Sequence, residues 1–93
     1  MGSISARHAR TVLGHVEQIL AIELLCAAQA LDLRLATPDY SGATPGAGVA
    51  QALARTRARV SHLDADRPPA PDLAAAADIV RTGALADLAV GPA

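Results

Sequence analysis

The sequence contains no Phe, no Trp and no Lys, and it has one Tyr and one Cys among its 93 residues. A single cysteine, Cys26, excludes an internal disulfide. Almost no aromatic side chain is available for nucleic-acid bases to stack on. The formal charge of −1 supplies no excess positive field for nucleic acid or for an anionic membrane. We therefore predict neither nucleic acid nor a membrane as a partner.

Targeting signals are also missing. No N-terminal stretch combines a basic start, an apolar run and a small-residue cleavage site, so we expect a cytoplasmic location. The first six residues resemble a myristoylation signal only partly, because Ala6 stands where Ser or Thr is required. A membrane-spanning helix needs about 20 apolar residues. Glu23 and Gln29 interrupt the apolar run, which favours burial in protein.

Ala and Leu dominate the apolar residues, which make up 52% of the chain, and this composition favours helix. The chain is long enough for one small domain. We predict an all-α fold with one long helix over about 5–32 and a loop over 33–48, followed by short helices over about 48–60, 72–82 and 84–90. Ser3 or Ser5 is the expected N-cap of the first helix, and Asp72 that of the third. Thr82-Gly83 should end the third helix, and residues 91–93 should fray. The three prolines of 61–71 predict an extended surface segment.

The predicted long helix is too long for a domain of this size. Its 28 residues would span roughly 42 Å, whereas a compact chain of 93 residues has a diameter of about 32 Å. Residues 19–28 are apolar all round the helix apart from Glu23, which is typical of a buried central helix. The chain should therefore be part of a larger helical bundle, completed by other copies or by another part of the same polypeptide.

Two groups of residues have the chemistry of metal ligands. His8 and His15 are seven residues apart, so on a helix they lie about 10 Å apart, too far to share one ion. His62, Asp64 and Asp66 place three potential ligands in a probable loop. The simpler interpretation is an exposed polar loop whose acids balance nearby arginines. We predict no metal site.

Other candidate groups also have structural interpretations. Cys26 lies among apolar neighbours and is expected to be inert core rather than a nucleophile. Glu23 would be a buried carboxylate, paired with an Arg from another helix. Arg55, Arg57 and Arg59 form the one basic cluster, which we interpret as an ion-paired or solvated face rather than a nucleic-acid site. The Gly-rich segment 44–48 lacks the spacing of a phosphate-binding loop.

Four segments resemble the C-terminal tail of histidine ammonia-lyases. They are QILAIELLCAAQALDLR at 18–34, PGAGV at 45–49, VSHLDADRPPAPD at 60–72 and IVRTG at 79–83. The four segments follow the same order as in the family, and the resemblance covers nearly the whole chain. Ala47 stands where the family often has Lys, and Leu33 where it commonly has Phe. Tyrosine ammonia-lyases and aminomutases share much of this tail, so the choice between lyase and aminomutase, and between histidine, tyrosine and phenylalanine as the family substrate, stays open.

The resemblance implies a reaction but not its catalytic groups. The family eliminates ammonia from an aromatic amino acid, giving urocanate from histidine, with a methylidene-imidazolone group formed from an internal Ala-Ser-Gly. That cofactor is implied to lie outside this segment, because the only Ser-Gly pair, Ser41-Gly42, follows Tyr40. Tyr40 matches none of the family's catalytic residues. We predict no catalytic, cofactor-binding or metal-binding residue in this chain, which would not be competent alone.

The family also implies how the chain is used. The resemblance implies a structural segment that contributes helices to a homotetramer of histidine catabolism, with the rest of the lyase chain or other subunits as partners. Met1-Gly2 resembles an internal pair of the family, so the start of the chain is expected to be internal to a longer protein. Two alternatives stay open. One is a free-standing helical module that pairs with its own copies, and the other is a subunit of a split enzyme whose partner chain carries the Ala-Ser-Gly.

Overall fold

The structure, a computed structural model, describes residues 2–89. Three α-helices follow one another along the chain: α1 (Gly2–Leu35), α2 (Ala47–Arg57) and α3 (Ala70–Arg81). Short 3₁₀ turns lie at Pro38–Tyr40 and Ala86–Ala89. No strand occurs among the described residues. The predicted all-α fold, with one long helix and shorter ones, is therefore confirmed.

Helix α1 is longer than the predicted range of 5–32. It begins at Gly2, ahead of both expected N-cap serines, and it ends at Leu35. No proline interrupts this stretch. The helix ends where Pro38 forces the preceding residue out of the helical region, and Thr37 indeed has φ −76° and ψ 151°. The hydroxyl of Thr37 donates to the carbonyl of Arg34 at 2.7 Å and so satisfies one free carbonyl of the last turn.

Helices α2 and α3 also differ from their predicted ends. Helix α2 stops at Arg57 instead of residue 60, because the chain turns there so that Val60 enters the core with 3% exposure. Helix α3 begins at Ala70, with Pro69 at its N-cap. Asp72 is therefore not the N-cap but lies in the first turn, where Pro71 is well tolerated. The predicted extended segment correspondingly ends before Ala70.

The end of α3 follows the prediction in its chemistry. Gly83 has φ +70°, which glycine adopts without strain. Its N–H donates to the carbonyl of Val80 at 3.2 Å, and the N–H of Ala84 donates to that of Ile79 at 3.1 Å. These two bonds form a Schellman motif. The predicted last helix over 84–90 is represented by the 3₁₀ turn Ala86–Ala89. Residue 90 and the fraying predicted for 91–93 lie outside the described residues.

The core is a small contact between α1 and α3. Ala21 and Ala76 are fully buried, and Ala77 is nearly so. Leu24 and Leu25 pack against these three residues. Alanine side chains at the contact allow the two helix backbones to approach closely. Only one face of α1 is covered in this way, and none of the residues 2–20 is buried.

The molecule is open rather than compact. Its radius of gyration is 16.0 Å and its extents are 58 × 41 × 20 Å, against a radius of about 12 Å for a compact chain of this length. Its accessible surface is 6701 Å², against about 5,000 Å² for a typical folded monomer of 9.4 kDa. The excess of about 1,700 Å² agrees with the prediction that this chain cannot wrap its own long helix.

Helix α1 is also long and apolar enough to be a candidate membrane-spanning helix. An 18-residue window within it has a mean hydropathy of 1.4, so by length and composition the helix could cross a membrane. Glu23 and Gln29 were expected to exclude a membrane-spanning helix. By length and composition, these two residues do not exclude it. The core helix of a water-soluble protein meets the same criterion.

Candidate functional site

The most connected polar group in the chain is a junction at the end of α1, formed by Asp32, Arg57 and His62. The Nε of Arg57 donates to Oδ2 of Asp32 at 2.8 Å, and its Nη2 lies 2.7 Å from the same oxygen. The Nδ1 of His62 lies 3.1 Å from it. These residues come from α1, from the last turn of α2 and from the segment that follows. One carboxylate therefore joins three parts of the chain.

One turn before Asp32, Gln29 fixes the same segment through its amide. The Nε2 of Gln29 donates to the carbonyl of Leu63 at 3.0 Å, and the N–H of Leu63 donates to Oε1 of Gln29 at 3.1 Å. This reciprocal pair imitates the pairing of two backbones. Gln29 and Asp32 together hold the segment after α2 against α1.

The surroundings of Asp32 keep it ionised. Burial raises its pKa, but the hydrogen bonds and positive charges of His62 and Arg57 outweigh this and hold the pKa below the ordinary value of 3.8. An acid with a lowered pKa is a poor general acid near neutral pH. Arg57 also donates to the carbonyl of Val60 at 3.1 Å. The junction is built to hold structure rather than to move a proton.

The residues considered as metal ligands do not converge. His62 faces Asp32, and its Nε2 lies 3.8 Å from Asp64, whose side chain is 89% exposed. His8 and His15 are exposed on α1. Across residues 2–89 no group of three or more His, Cys, Asp or Glu side chains could hold a metal ion.

The basic cluster is ion-paired, as the charge pattern predicts. Arg55 forms two hydrogen bonds with Asp87, at 2.6 Å and 3.0 Å. Arg57 is paired with Asp32, as described above. Arg59 lies 3.1 Å from Asp78 of α3. Two of these arginines lie in α2 and Arg59 lies just after it, and the three connect this part of the chain to three other parts.

Two predictions about α1 are wrong for this chain. Glu23 and Cys26 were expected to be buried, and both are exposed. Salt bridges among the described residues do not include Glu23. The physical reason is that α3 covers only the face of α1 that carries Ala21. The apolar pattern on all sides of α1 predicts burial on all sides, and the rest of this chain is too small to provide it.

An open apolar groove of about 570 Å³ lies beside the junction. Its walls include Ile22, Leu25 and Cys26 of α1, Val60 and Leu63 of the following segment, and Leu73 of α3. Such a lining can receive an apolar side chain. Arg57, Arg67 and Asp72 also line the groove, where Arg57 is paired with Asp32 and Arg67 with Asp72.

The Ser-Gly pair does not fit the cofactor that the family resemblance implies. Ser41 and Gly42 lie in an exposed turn after the 3₁₀ segment. Tyr40 precedes them where Ala would be required, and the guanidinium of Arg34 lies over its ring at 4.5 Å. The residues at this pair are therefore not the precursor of a methylidene-imidazolone, and no catalytic step is assigned to them.

Comparison with known proteins gives consistent matches. The family described as Aromatic amino acid lyase matches residues 1–58. Histidine ammonia-lyase of Sorangium cellulosum is 47% identical over 95 residues, covering 99% of this chain and 17% of that protein. The enzyme of the same name from Symbiobacterium thermophilum is 45% identical over 85 residues (91% and 16%), and that of Gloeobacter violaceus 42% over 85 residues (91% and 15%). No solved structure matches. The chain spans about one sixth of the length of these relatives.

Proposed function

The chain belongs to the aromatic amino acid lyase family, and from this premise we propose that it is a scaffold segment of a histidine ammonia-lyase. Its role is to supply helices to the bundle and to the contacts between subunits. The proposal includes a cytoplasmic homotetramer that converts L-histidine to urocanate and ammonia in histidine catabolism. Its immediate partners are the rest of the lyase chain and other subunits.

The observation that carries the proposal is the uncovered surface of α1. Val12, Val16 and Ile19 share one face of the helix and are 47%, 42% and 55% exposed, although apolar side chains of this size are normally buried. Contiguous apolar surface of this kind marks a protein contact. A helix of 34 residues with one covered face fits a bundle whose other helices come from elsewhere.

The polar groups support a structural role. Asp32, Arg57 and His62 are engaged with one another, and Arg55 and Arg59 are paired with acids of the same chain. The Ser41-Gly42 pair does not supply the family's cofactor. In this proposal the chain contributes no catalytic residue, and the methylidene-imidazolone and substrate-binding side chains lie in other parts of the enzyme.

A chimera tests the proposal. The matching 95 residues of the Sorangium cellulosum enzyme are replaced by this chain, and urocanate formation from L-histidine is followed by its absorbance. We expect the chimera to assemble and to retain activity within about tenfold of the parent, since most contacts of the segment should be retained. A matched chimera with Asp32→Asn should lose assembly before it loses the activity of the assembled fraction. A soluble, correctly assembled chimera without activity would contradict a purely structural role.

The second candidate is the free-standing helical module that pairs with its own copies. The exposed apolar residues Val12, Val16 and Ile19 along α1 favour it, because one further helix is enough to cover them. This candidate predicts a stable oligomer of the chain alone and a chimera that fails to assemble. The lyase proposal requires the chimera to assemble.

A further inference from the structure

Gln29 presents its amide to the ring of His62 in one fixed orientation. Its Oε1 accepts from the N–H of Leu63, and its Nε2 donates to the carbonyl of Leu63. The backbone of Leu63 therefore distinguishes the two ends of the amide and leaves Nε2 of Gln29 at 3.4 Å from Nε2 of His62. Because an amide nitrogen only donates, a hydrogen bond at this contact requires that Nε2 of His62 carries no proton.

The other ring nitrogen of His62 has the opposite role. Its Nδ1 lies 3.1 Å from Oδ2 of Asp32, which is ionised, as described above. A carboxylate only accepts, so Nδ1 must carry the proton. Asp32 and Gln29 together select the neutral form of His62 that is protonated on Nδ1 and accepts at Nε2.

Charged groups reach His62 from both neighbouring helices and from its own segment. Asp32 of α1 contacts Nδ1, and Arg57 of α2 shares the same carboxylate oxygen. Oδ1 of Asp64 lies 3.8 Å from Nε2 of His62. Nη1 of Arg67 donates to the backbone carbonyl of His62 at 3.2 Å. Asp64 is thus a carboxylate that a proton on Nε2 can reach after a small rotation of the ring.

We propose that His62 is a proton-sensitive latch on the segment after α2. Neutral His62 accepts from Gln29, whereas protonated His62 turns Nε2 away from Gln29 and donates to Asp64. The physical reason is that protonation places an N–H against the N–H of the Gln29 amide, and two donors repel each other. Histidine commonly gains its proton between pH 5 and 8. The exchange of partners lies within one chain and does not depend on the proposed scaffold role.

The latch acts on one wall of the apolar groove. Gln29 and Leu63 both line it, and their reciprocal hydrogen bonds hold this wall together. When His62 turns away, water reaches the Gln29 amide and competes with the backbone of Leu63. Arg67 keeps its bond to the carbonyl of His62 and its pair with Asp72 of α3. Protonation therefore loosens the wall at Leu63 and leaves the rest of the segment attached.

The change is local because the two arrangements of His62 have similar strength. The hydrogen bond from Gln29 is long, at 3.4 Å, and contributes little. The ion pair that replaces it uses Asp64, whose side chain is 89% exposed, and exposed ion pairs are also weak. Local opening of a backbone amide is consequently a more sensitive measure than global unfolding.

Hydrogen exchange followed by mass spectrometry tests the latch in the purified chain. We expect the amide of Leu63, resolved by overlapping peptides, to exchange about fivefold faster at pH 5.5 than at pH 7.5 after correction for the intrinsic pH dependence of exchange. Amides of α3 are the internal reference and should not change. The ring nitrogens of His62, followed by ¹⁵N chemical shift, should show the proton on Nδ1 at pH 7.5.

A variant with the opposite response separates the latch from general acid loosening. In Gln29→Glu the carboxylate still accepts from the N–H of Leu63, and it also accepts from protonated His62. The amide of Leu63 should then exchange more slowly at pH 5.5 than at pH 7.5. The matched control is His8→Gln, because His8 is exposed on α1, and this variant should keep the fivefold response of the unmodified chain.

Three outcomes would overturn the proposal. The first is a proton on Nε2 of His62 at pH 7.5. The second is equal corrected exchange of Leu63 at the two pH values, and the third is the same response in Gln29→Glu as in the unmodified chain. None of these outcomes bears on the scaffold role, which the assembly and activity of the chimera test separately.

Discussion

Asp32 shows how single residues hold this segment together. Its carboxylate contacts Arg57 of α2 and His62 of the following segment, and the side chains of Asp32 and Arg57 are about three-quarters buried or more. Removing one partner from a hydrogen-bonded charged group leaves the others unsatisfied, which costs more than the net value of the contact. The junction should therefore be sensitive to small changes at Asp32.

The variant Asp32→Asn should lower the free energy of unfolding by about 1–3 kcal/mol at neutral pH, because Arg57 and His62 lose their common carboxylate. The pKa of Asp32 lies below its ordinary value of 3.8, so its ionised form contributes stability above pH about 4. That contribution is lost as pH falls through the folded-state pKa. Urea unfolding over a range of pH should therefore show the two proteins converging in acid.

The matched control for this experiment is Asp64→Asn. Asp64 lies near His62 but is 89% exposed, so its change should stay within about 0.5 kcal/mol. Equal losses from Asp32→Asn and Asp64→Asn would contradict the structural role of the junction.

At the scale of the helices, local residue chemistry determines where α1 and α3 end. Helix α1 continues until the restriction imposed before Pro38, and α3 ends in a Schellman motif at Gly83. Both ends are local chemistry. The contact between α1 and α3 depends instead on alanines that allow close approach, with Ala21 and Ala76 at its centre.

The same substitution at two glycines should have opposite effects. Gly83→Ala places a side chain at φ +70°, which costs about 1–2 kcal/mol. Gly14→Ala lies inside α1, where nothing within 4 Å opposes a Cβ, and should stabilise the helix by about 0.5–1 kcal/mol. Thermal unfolding followed by circular dichroism measures both. A stabilised Gly83→Ala protein would contradict the motif at the end of α3.

Local pattern was sufficient to predict much of the fold. The all-α architecture, the long helix and the stop at Gly83 follow from periodicity and turn chemistry, which act over a few residues. The start of α3 was misplaced because Asp72 suits an N-cap, while Pro71 suits the first turn equally well. The structure favours the second arrangement, and Arg67 pairs with Asp72 instead.

The local sequence pattern does not predict contacts between residues that are far apart in the chain. Asp32 and His62 are 30 residues apart, and neither belongs to a motif that points to the other. The predicted burial of Cys26 and Glu23 failed for a different reason. A helix that is apolar on all sides is expected to be buried on all sides. This chain alone covers only one face of α1.

At the scale of the whole molecule, α1 is a long helix with a small attached unit rather than the centre of a closed domain. The chain has the surface of a partner-dependent segment and about one sixth of the length of its relatives. Its ion pairs join parts of the same chain, and many exposed side chains of α1 are apolar. Under the proposed scaffold role, such a segment contributes to a larger enzyme through contact and supplies no catalytic residue.

The central claim is that this chain does not complete its own core and that another polypeptide covers α1. Light scattering coupled to size-exclusion chromatography measures it most directly, through the native molar mass of the purified chain. We predict a polydisperse mass above 9.4 kDa that falls on dilution, because the surface that covers α1 is missing from the chain alone. A homogeneous species of 9.4 kDa that keeps α1 helical at all concentrations would contradict the account.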